Sequence, residues 1–165
     1  MALGRSPSAD RRLAEIGRDD LKGRLGIANA KLAYQQYKAL FHRERWDDLA
    51  ARGATAQRCL WASTSVKDPS LRDTLYVEEL IGQETISTMP EETIRALQDH
   101  GRVEPRLESD LDEAEYLFNK LYAVGVNYDD VVAMLEREGI EKFVASFNEL
   151  LKRVGDKQRH LVAAA

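Results

Sequence analysis

Apolar residues recur every three to four positions along most of the chain, which is the spacing of amphipathic helices. In residues 21–41, for example, Leu25 and Ala28 share one face, and we place Lys31 and Lys38 on the polar side. Glycines follow several of these segments, as expected for helix ends. The predicted helices cover residues 10–17, 21–41, 46–51, 73–81, 91–100, 110–124, 128–138 and 140–154.

Two segments have the length of strands, at residues 58–63 and 85–89, and the first contains the apolar run Cys59 to Ala62. Helical segments lie before, between and after them, an order typical of α/β proteins with parallel strands. The first run becomes polar abruptly after Ala62. In parallel sheets and barrels, ligands bind outside the carboxyl ends of the strands, and hydroxyl donors with an ammonium group suit a phosphate. The polar residues at this end are Ser63, Thr64, Ser65 and Lys67.

Four segments, taken in order, resemble a known family. They are residues 26–34 (GIANAKLAY), 58–69 (RCLWASTSVKDP), 75–82 (LYVEELIG) and 85–94 (TISTMPEETI). Their succession resembles the C-terminal part of bacterial transaldolases of the longer form, which carry LWAST, YVEEL and NTMP-type segments. Ser87 departs from this pattern, because the family has asparagine there. The resemblance extends from about Asp10 to about Leu151, nearly the whole chain.

The resemblance implies a fold and a size. Transaldolases are (β/α)8 barrels, which need about 250 residues, whereas this chain has 165 residues and two predicted strands. We therefore expect an α/β fold that is the C-terminal part of a (β/α)8 TIM barrel with a helical C-terminal tail. The expected organisation is a disordered lead at residues 1–9, the last barrel β/α units at 10–101, C-terminal helices at 102–154 and a frayed tail at 155–165.

Ser63 and Lys67 are the candidate residues for binding a substrate phosphate. In transaldolases the loop after the seventh strand begins with Ala-Ser and has a basic residue a few positions later, and these two residues hold the phosphate. Ala62-Ser63 and Lys67 match, although the basic residue follows the serine by two positions in shorter relatives and by four here. Without the resemblance, the better interpretation is that the serines and Thr64 cap the following turn and that Lys67 is a solvated charge. The resemblance favours the phosphate site.

No lysine is placed to be catalytic. The resemblance implies transfer of a dihydroxyacetone unit between sugar phosphates in the non-oxidative pentose phosphate pathway, through a lysine imine and without a metal or organic cofactor. Such a lysine must be desolvated inside a barrel. Of the eight lysines, seven fall on polar helix faces or helix ends, and Lys67 follows its strand. We therefore expect the chain to be inactive alone. The alternative function is a non-catalytic remnant or a helical assembly module.

Other conspicuous residues have structural explanations. The pairs Glu78–Glu79 and Glu91–Glu92 are predicted to be helix-dipole partners and solvated charges, because neighbours on a helix do not face each other. Trp61 is predicted to pack in the core. The three histidines, near helix ends, show no metal-binding spacing. Four aromatic residues are predicted to pack the C-terminal helices onto a barrel wall: Phe118, Tyr122, Phe143 and Phe147.

The amino-acid composition limits the classes of partner that we expect for this chain. The net charge of −4 gives no basic field for nucleic acid or an anionic membrane. The single cysteine, Cys59, excludes an internal disulfide and a cysteine-based zinc cluster. No apolar run approaches the roughly 18 residues of a membrane span, so we expect a cytoplasmic protein. The expected partners are a sugar phosphate substrate and either the missing N-terminal part of the barrel or a second copy of the chain.

Overall fold

Two short parallel strands lie at the centre of the fold. The computed structural model describes residues 13–15 and 17–163 of the chain. Strand β1 (Cys59–Trp61) pairs in parallel with β2 (Thr85–Ser87), with Leu60 opposite Ile86 and Trp61 opposite Ser87. Both strands lie inside the predicted runs and are shorter than expected. The predicted parallel α/β arrangement is confirmed for this pair.

Six helices are described. They are α1 (Arg24–Phe41), α2 (Glu44–Ala51), α3 (Leu75–Glu79), α4 (Glu91–His100), α5 (Leu111–Ala123) and α6 (Tyr128–Ala163). Helix α4 has the predicted bounds, because Pro90 precedes its first turn, acidic residues occupy that turn and Gly101 follows it. The expected disordered lead at 1–9 lies outside the described residues. None of the described helices is both long and apolar enough to cross a membrane.

Helix α1 begins after Gly23 rather than at the predicted start, Leu21. Gly23 has a φ of 71°, and a Cβ atom there would lie 2.7 Å from the Leu71 Cδ1 atom. A larger residue would therefore meet both backbone strain and a clash at this position. The short 3-10 turn Asp19–Leu21 precedes it and buries Leu21.

The core lies between α1 and one face of the strand pair. Tyr34 and Tyr37 of α1 pack with Trp61 of β1, and Leu80 and Leu107 complete the cluster. The phenol of Tyr34 donates a hydrogen bond to the Gln83 carbonyl, 3.1 Å away. Burial and a hydrogen bond to Glu84 raise the pKa of Tyr37 to about 12, so this residue stays protonated in the fold. The predicted core role of Trp61 is confirmed.

The opposite face of the strand pair is apolar and uncovered. Leu60 and Ile86 are cross-strand partners, and they are 45% and 37% exposed. Directly opposite side chains on one sheet face lie close enough to form a single patch. Within the described residues no other element covers this patch, as expected for two strands taken from a larger sheet.

Helix α6 corrects the prediction for the C-terminal region. The sequence predicts two helices separated at Gly139 and a frayed tail from Gly155, but α6 is continuous over 36 residues. A glycine inside a helix costs only about 1 kcal/mol relative to alanine, and good helix formers flank both positions. An ion pair from Lys142 to Glu138, at 3.0 Å, spans Gly139.

Three of the four aromatic residues that are expected to pack on a barrel wall are exposed in this chain. Tyr122 of α5 and Phe143 and Phe147 of α6 are exposed, Phe143 by 79%. Their helical spacing alone indicates a common face, and it does not say what the face contacts. Only Phe118 is partly buried.

Candidate functional site

The loop that leaves β1 has an unusual backbone conformation at its start. Ser63 has a φ of 58°, in the left-handed region that side chains other than glycine rarely adopt. The other described non-glycine residues with positive φ, Glu84 and Asp110, precede an element instead of following a strand. Such backbone strain is concentrated at binding and active sites. The loop therefore starts with a conformation typical of a functional site, and Ser63 itself is exposed.

Thr64 is used to hold the loop, so its hydroxyl is not available to a ligand. It is fully buried and donates a hydrogen bond to the carbonyl of Thr88, 2.9 Å away. The Thr88 amide in turn donates to the carbonyl of Trp61 at 2.9 Å. These bonds join the carboxyl ends of the two strands and bring their following loops to one edge.

Lys67 lies four residues after Ser63 on this loop and is exposed. Among the described residues its ammonium has no ion-pair partner, although Asp68 is its neighbour. The Asp68 carboxylate instead accepts hydrogen bonds from the hydroxyl of Ser70 at 2.7 Å and from its amide at 2.9 Å. These bonds hold the pKa of Asp68 below its usual value. The turn is thus capped by Asp68, and not by the serines as the alternative interpretation supposes.

The structure also contains a cavity of about 480 Å³, and Leu71, further along the same loop, helps to line it. Its apolar wall comes from α1, α5 and the segment around Leu71 and Leu75. Neither Ser63 nor Lys67 lines it. Its charged lining residues are Asp19, Asp20, Lys22, Arg24, Lys31, Glu79, Asp110 and Glu113. Since five of these are acidic and three are basic, the lining disfavours an anionic ligand.

Lys31 borders this cavity and corrects a prediction. It is not on a polar face of α1, because only 4% of the residue is exposed. Its ammonium donates to the Glu79 carboxylate at 3.1 Å and to the Ser109 carbonyl at 3.2 Å. Its position, three residues after Ala28 and three before Tyr34, already places it on the buried face. The helical spacing was therefore the signal that could have found it.

Glu78 and Glu79 are not solvated charges, which corrects a second prediction. Glu78 is 1% exposed, and its carboxylate accepts hydrogen bonds from the Thr74 hydroxyl at 2.8 Å and the Arg102 amide at 3.1 Å. Arg72 forms an ion pair with it at 2.8 Å. Glu79 contacts Lys31, and also Arg106 at 3.3 Å. Both carboxylates hold the fold together, and neither is placed as an acid or base.

Two other predicted residues can be placed. His100, at the end of α4, lies 3.0 Å from the Asp73 carboxylate and 3.1 Å from Asp99. Hydrogen bonds to Asp73 and Asp99 raise its pKa, and a cation is favourable at a helix C-terminus. Cys59 is half-buried, and burial raises the pKa of its thiol. A thiol with a raised pKa is a poor nucleophile at neutral pH.

Comparisons with known proteins agree with the resemblance. A sequence profile described as Transaldolase/Fructose-6-phosphate aldolase matches residues 4–154. The transaldolase of Arthrobacter sp. (strain FB24) is 52% identical over 159 residues, which cover 94% of this chain and 42% of that protein. The transaldolase of Renibacterium salmoninarum is 50% identical over 151 residues, or 89% and 40% of the two chains.

Transaldolase 2 of Nostoc punctiforme is 48% identical over 139 residues, which cover 83% of this chain and 36% of that protein. The chain therefore spans about two-fifths of the length of these relatives. The matched profile covers most of the chain and includes the loop that carries Ser63 and Lys67. This chain belongs to the transaldolase/fructose-6-phosphate aldolase family.

Proposed function

We propose that this chain supplies the phosphate-binding part of a transaldolase, with Ser63 and Lys67 holding the phosphate of the sugar substrate. The observation that carries the proposal is the loop after β1, where a strained, exposed serine and an ammonium without a described partner follow a strand whose last residue, Trp61, is buried. A phosphate bound there would receive a hydroxyl and a charge-assisted hydrogen bond. The acidic lining of the cavity favours this loop over the cavity as the anion site.

The second part of the proposal is that the two strands belong to a (β/α)8 barrel. Two parallel strands with an uncovered Leu60–Ile86 patch fit the last β/α units of a (β/α)8 barrel, at residues 10–101, whose other strands come from sequence outside this chain. Those strands would supply the imine-forming lysine and the catalytic carboxylates. We propose that the complete enzyme transfers a dihydroxyacetone unit between sugar phosphates in the cytoplasm without a metal or organic cofactor.

The surroundings of the lysines in this chain support the proposal that the chain is inactive on its own. Lys31 is the buried one among those described, and its ammonium is bonded to a carboxylate and a carbonyl. An imine-forming lysine needs a free amine in a desolvated place inside a barrel. Lys67 is exposed on a loop and does not lie within a strand. Neither lysine has the surroundings of a Schiff-base nucleophile.

We expect no imine to form when the chain is mixed with fructose 6-phosphate. Borohydride would reduce any imine to a stable three-carbon adduct, which mass spectrometry of the intact chain detects and peptide mapping assigns. The intact transaldolase of Arthrobacter sp. (strain FB24), treated in parallel, serves as the positive control. A reduced adduct on Lys31, Lys67 or another lysine of this chain would contradict the proposal.

One observation favours the second candidate function, an assembly module without catalysis. Helix α6 is 36 residues long, and many large apolar side chains are exposed along it. Soluble monomers rarely expose a continuous apolar surface of this extent. If the chain is an assembly module, this helix is the element that binds.

A further inference from the structure

Helix α6 has an apolar stripe with heptad spacing. The stripe consists of Ile140, Phe143, Val144, Phe147, Leu150, Leu151, Val154 and Leu161, all exposed. Counting Ile140 as position a, the residues at a are Ile140, Phe147, Val154 and Leu161, and those at d include Phe143 and Leu150. Val144 and Leu151 widen the stripe at position e. This is the pattern of a helix that packs along its length against another helix.

The stripe is long enough for a stable interface. From Ile140 to Leu161 the helix rises about 32 Å at 1.5 Å per residue. Two helices in contact over such a length bury roughly 1,200 Å² in total, the lower end of the range for specific complexes. The apolar stripe therefore has the extent that an interface requires and exceeds what isolated surface residues would present.

The charges of α6 identify the partner. On the N-terminal side of Leu150, residues 137–149 carry three acidic and two basic residues, a net charge of −1. On its C-terminal side, residues 151–163 carry one acidic and four basic residues, a net charge of +3. An antiparallel copy centred near Leu150 places each of these segments beside the one of opposite net charge. A parallel copy would place like charges together, which is unfavourable.

Lys157 supports the same orientation. It occupies the d position that follows Leu150, so it interrupts the apolar seam. In a parallel pair it would face its own copy, at a cost in electrostatic energy. In an antiparallel pair centred near Leu150 it lies opposite residue 143 of the partner, one helical turn or less from Glu141. The helix dipoles also favour the antiparallel arrangement.

We propose that the apolar stripe binds the apolar stripe of a second copy of this chain, with the two α6 helices antiparallel and centred near Leu150. The interface is isologous, so a residue that meets a second residue of the partner is met in turn by that residue's copy, and only residues near Leu150 meet their own copies. The inference deepens the assembly function proposed above and does not depend on the phosphate site.

Sedimentation velocity of the full chain tests the proposal. We expect a dimer of the wild-type chain, and Leu150→Glu to raise the dimer dissociation constant at least about a hundredfold, because an isologous interface would bury two unpaired carboxylates. Leu150 is exposed in the single chain, so the variant should fold. Asn148→Glu, which adds the same charge on the polar side of α6, is the matched control and should dimerise like the wild type.

Disulfide cross-linking tests the orientation. In a Cys59→Ser background, chains carrying Gly139→Cys and chains carrying His160→Cys should form a mixed disulfide dimer when combined, and neither should cross-link efficiently alone. Preferential cross-links within one variant would overturn the antiparallel arrangement. A wild-type monomer at high concentration would overturn the assembly function as a whole. A dimer that persists in Leu150→Glu would retain that function and overturn the role of the stripe.

Discussion

Replacing Glu78 with alanine is expected to lower the free energy of unfolding by about 3 kcal/mol. The carboxylate is fully buried and accepts hydrogen bonds from Thr74 and from the amide of Arg102, and it pairs with Arg72. Its removal leaves the buried Thr74 hydroxyl without this acceptor and unties the segment after α4 from α3. Urea unfolding at pH 7, followed by circular dichroism, measures the change.

The same carboxylate should make stability depend on pH. Burial acts to raise the pKa of Glu78, but the hydrogen bonds from Thr74 and Arg102 and the charge of Arg72 outweigh it and hold the pKa below its usual value. The folded state therefore favours the ionised form more than the unfolded state does. This contribution is complete above the unfolded pKa of about 4.5, and it is lost as the pH falls through the lower folded value. The wild-type and Glu78→Ala stabilities should converge under acid conditions.

Glu115→Ala is the control for this prediction. Glu115 lies on the exposed side of α5, so its loss should change the free energy of unfolding by less than about 0.5 kcal/mol. A Glu78→Ala variant as stable as Glu115→Ala would show that the buried hydrogen bonds contribute no net stability. A difference that persisted unchanged into acid would assign the loss to packing instead of ionisation.

The sequence predicted an element correctly where residues within or next to that element determine its bounds. The bounds of α4 follow from Pro90, the two glutamates after it and Gly101. The parallel strands follow from two segments of strand length with a helical segment between them. The continuity of α6 could not be read in the same way, because Gly139 and Gly155 are compatible with either a helix end or a helix interior. The choice depends on the sum of propensities on both sides.

The burial of charged residues was harder to predict from the sequence than the position of the loop after β1. Ser63 and Lys67 follow a strand, and a strand end fixes the place of the residues after it. Lys31 and Glu78 are buried, and Glu79 is half-buried, because segments distant in sequence bring their partners: Ser109 for Lys31, Arg102 for Glu78 and Arg106 for Glu79. The spacing within α1 places Lys31 on the buried face, but a pattern within one helix cannot show that a distant partner makes the burial of a charge favourable.

Lys67→Ala is expected to weaken the binding of a sugar phosphate about tenfold or more. A charge-assisted hydrogen bond contributes about 1.5–3 kcal/mol, and about 1.4 kcal/mol corresponds to a factor of ten in the dissociation constant. Thr64 is committed to the Thr88 carbonyl, so the remaining donors cannot replace the lost ammonium easily. Calorimetric titration measures the change, both with this chain and with the chain joined to the N-terminal part of a transaldolase relative.

The choice of control follows from the structure. Lys31→Ala is unsuitable, because Lys31 is buried and its loss would leave Glu79 with one cation fewer. Lys152→Ala removes an equal charge from the exposed surface of α6 and should leave the affinity unchanged. Lys67→Arg should retain most of the binding, because a guanidinium also donates to phosphate. If Lys67→Ala and Lys152→Ala bound the sugar phosphate equally well, Lys67 would be only a surface charge. The strained backbone at Ser63 would then need another explanation.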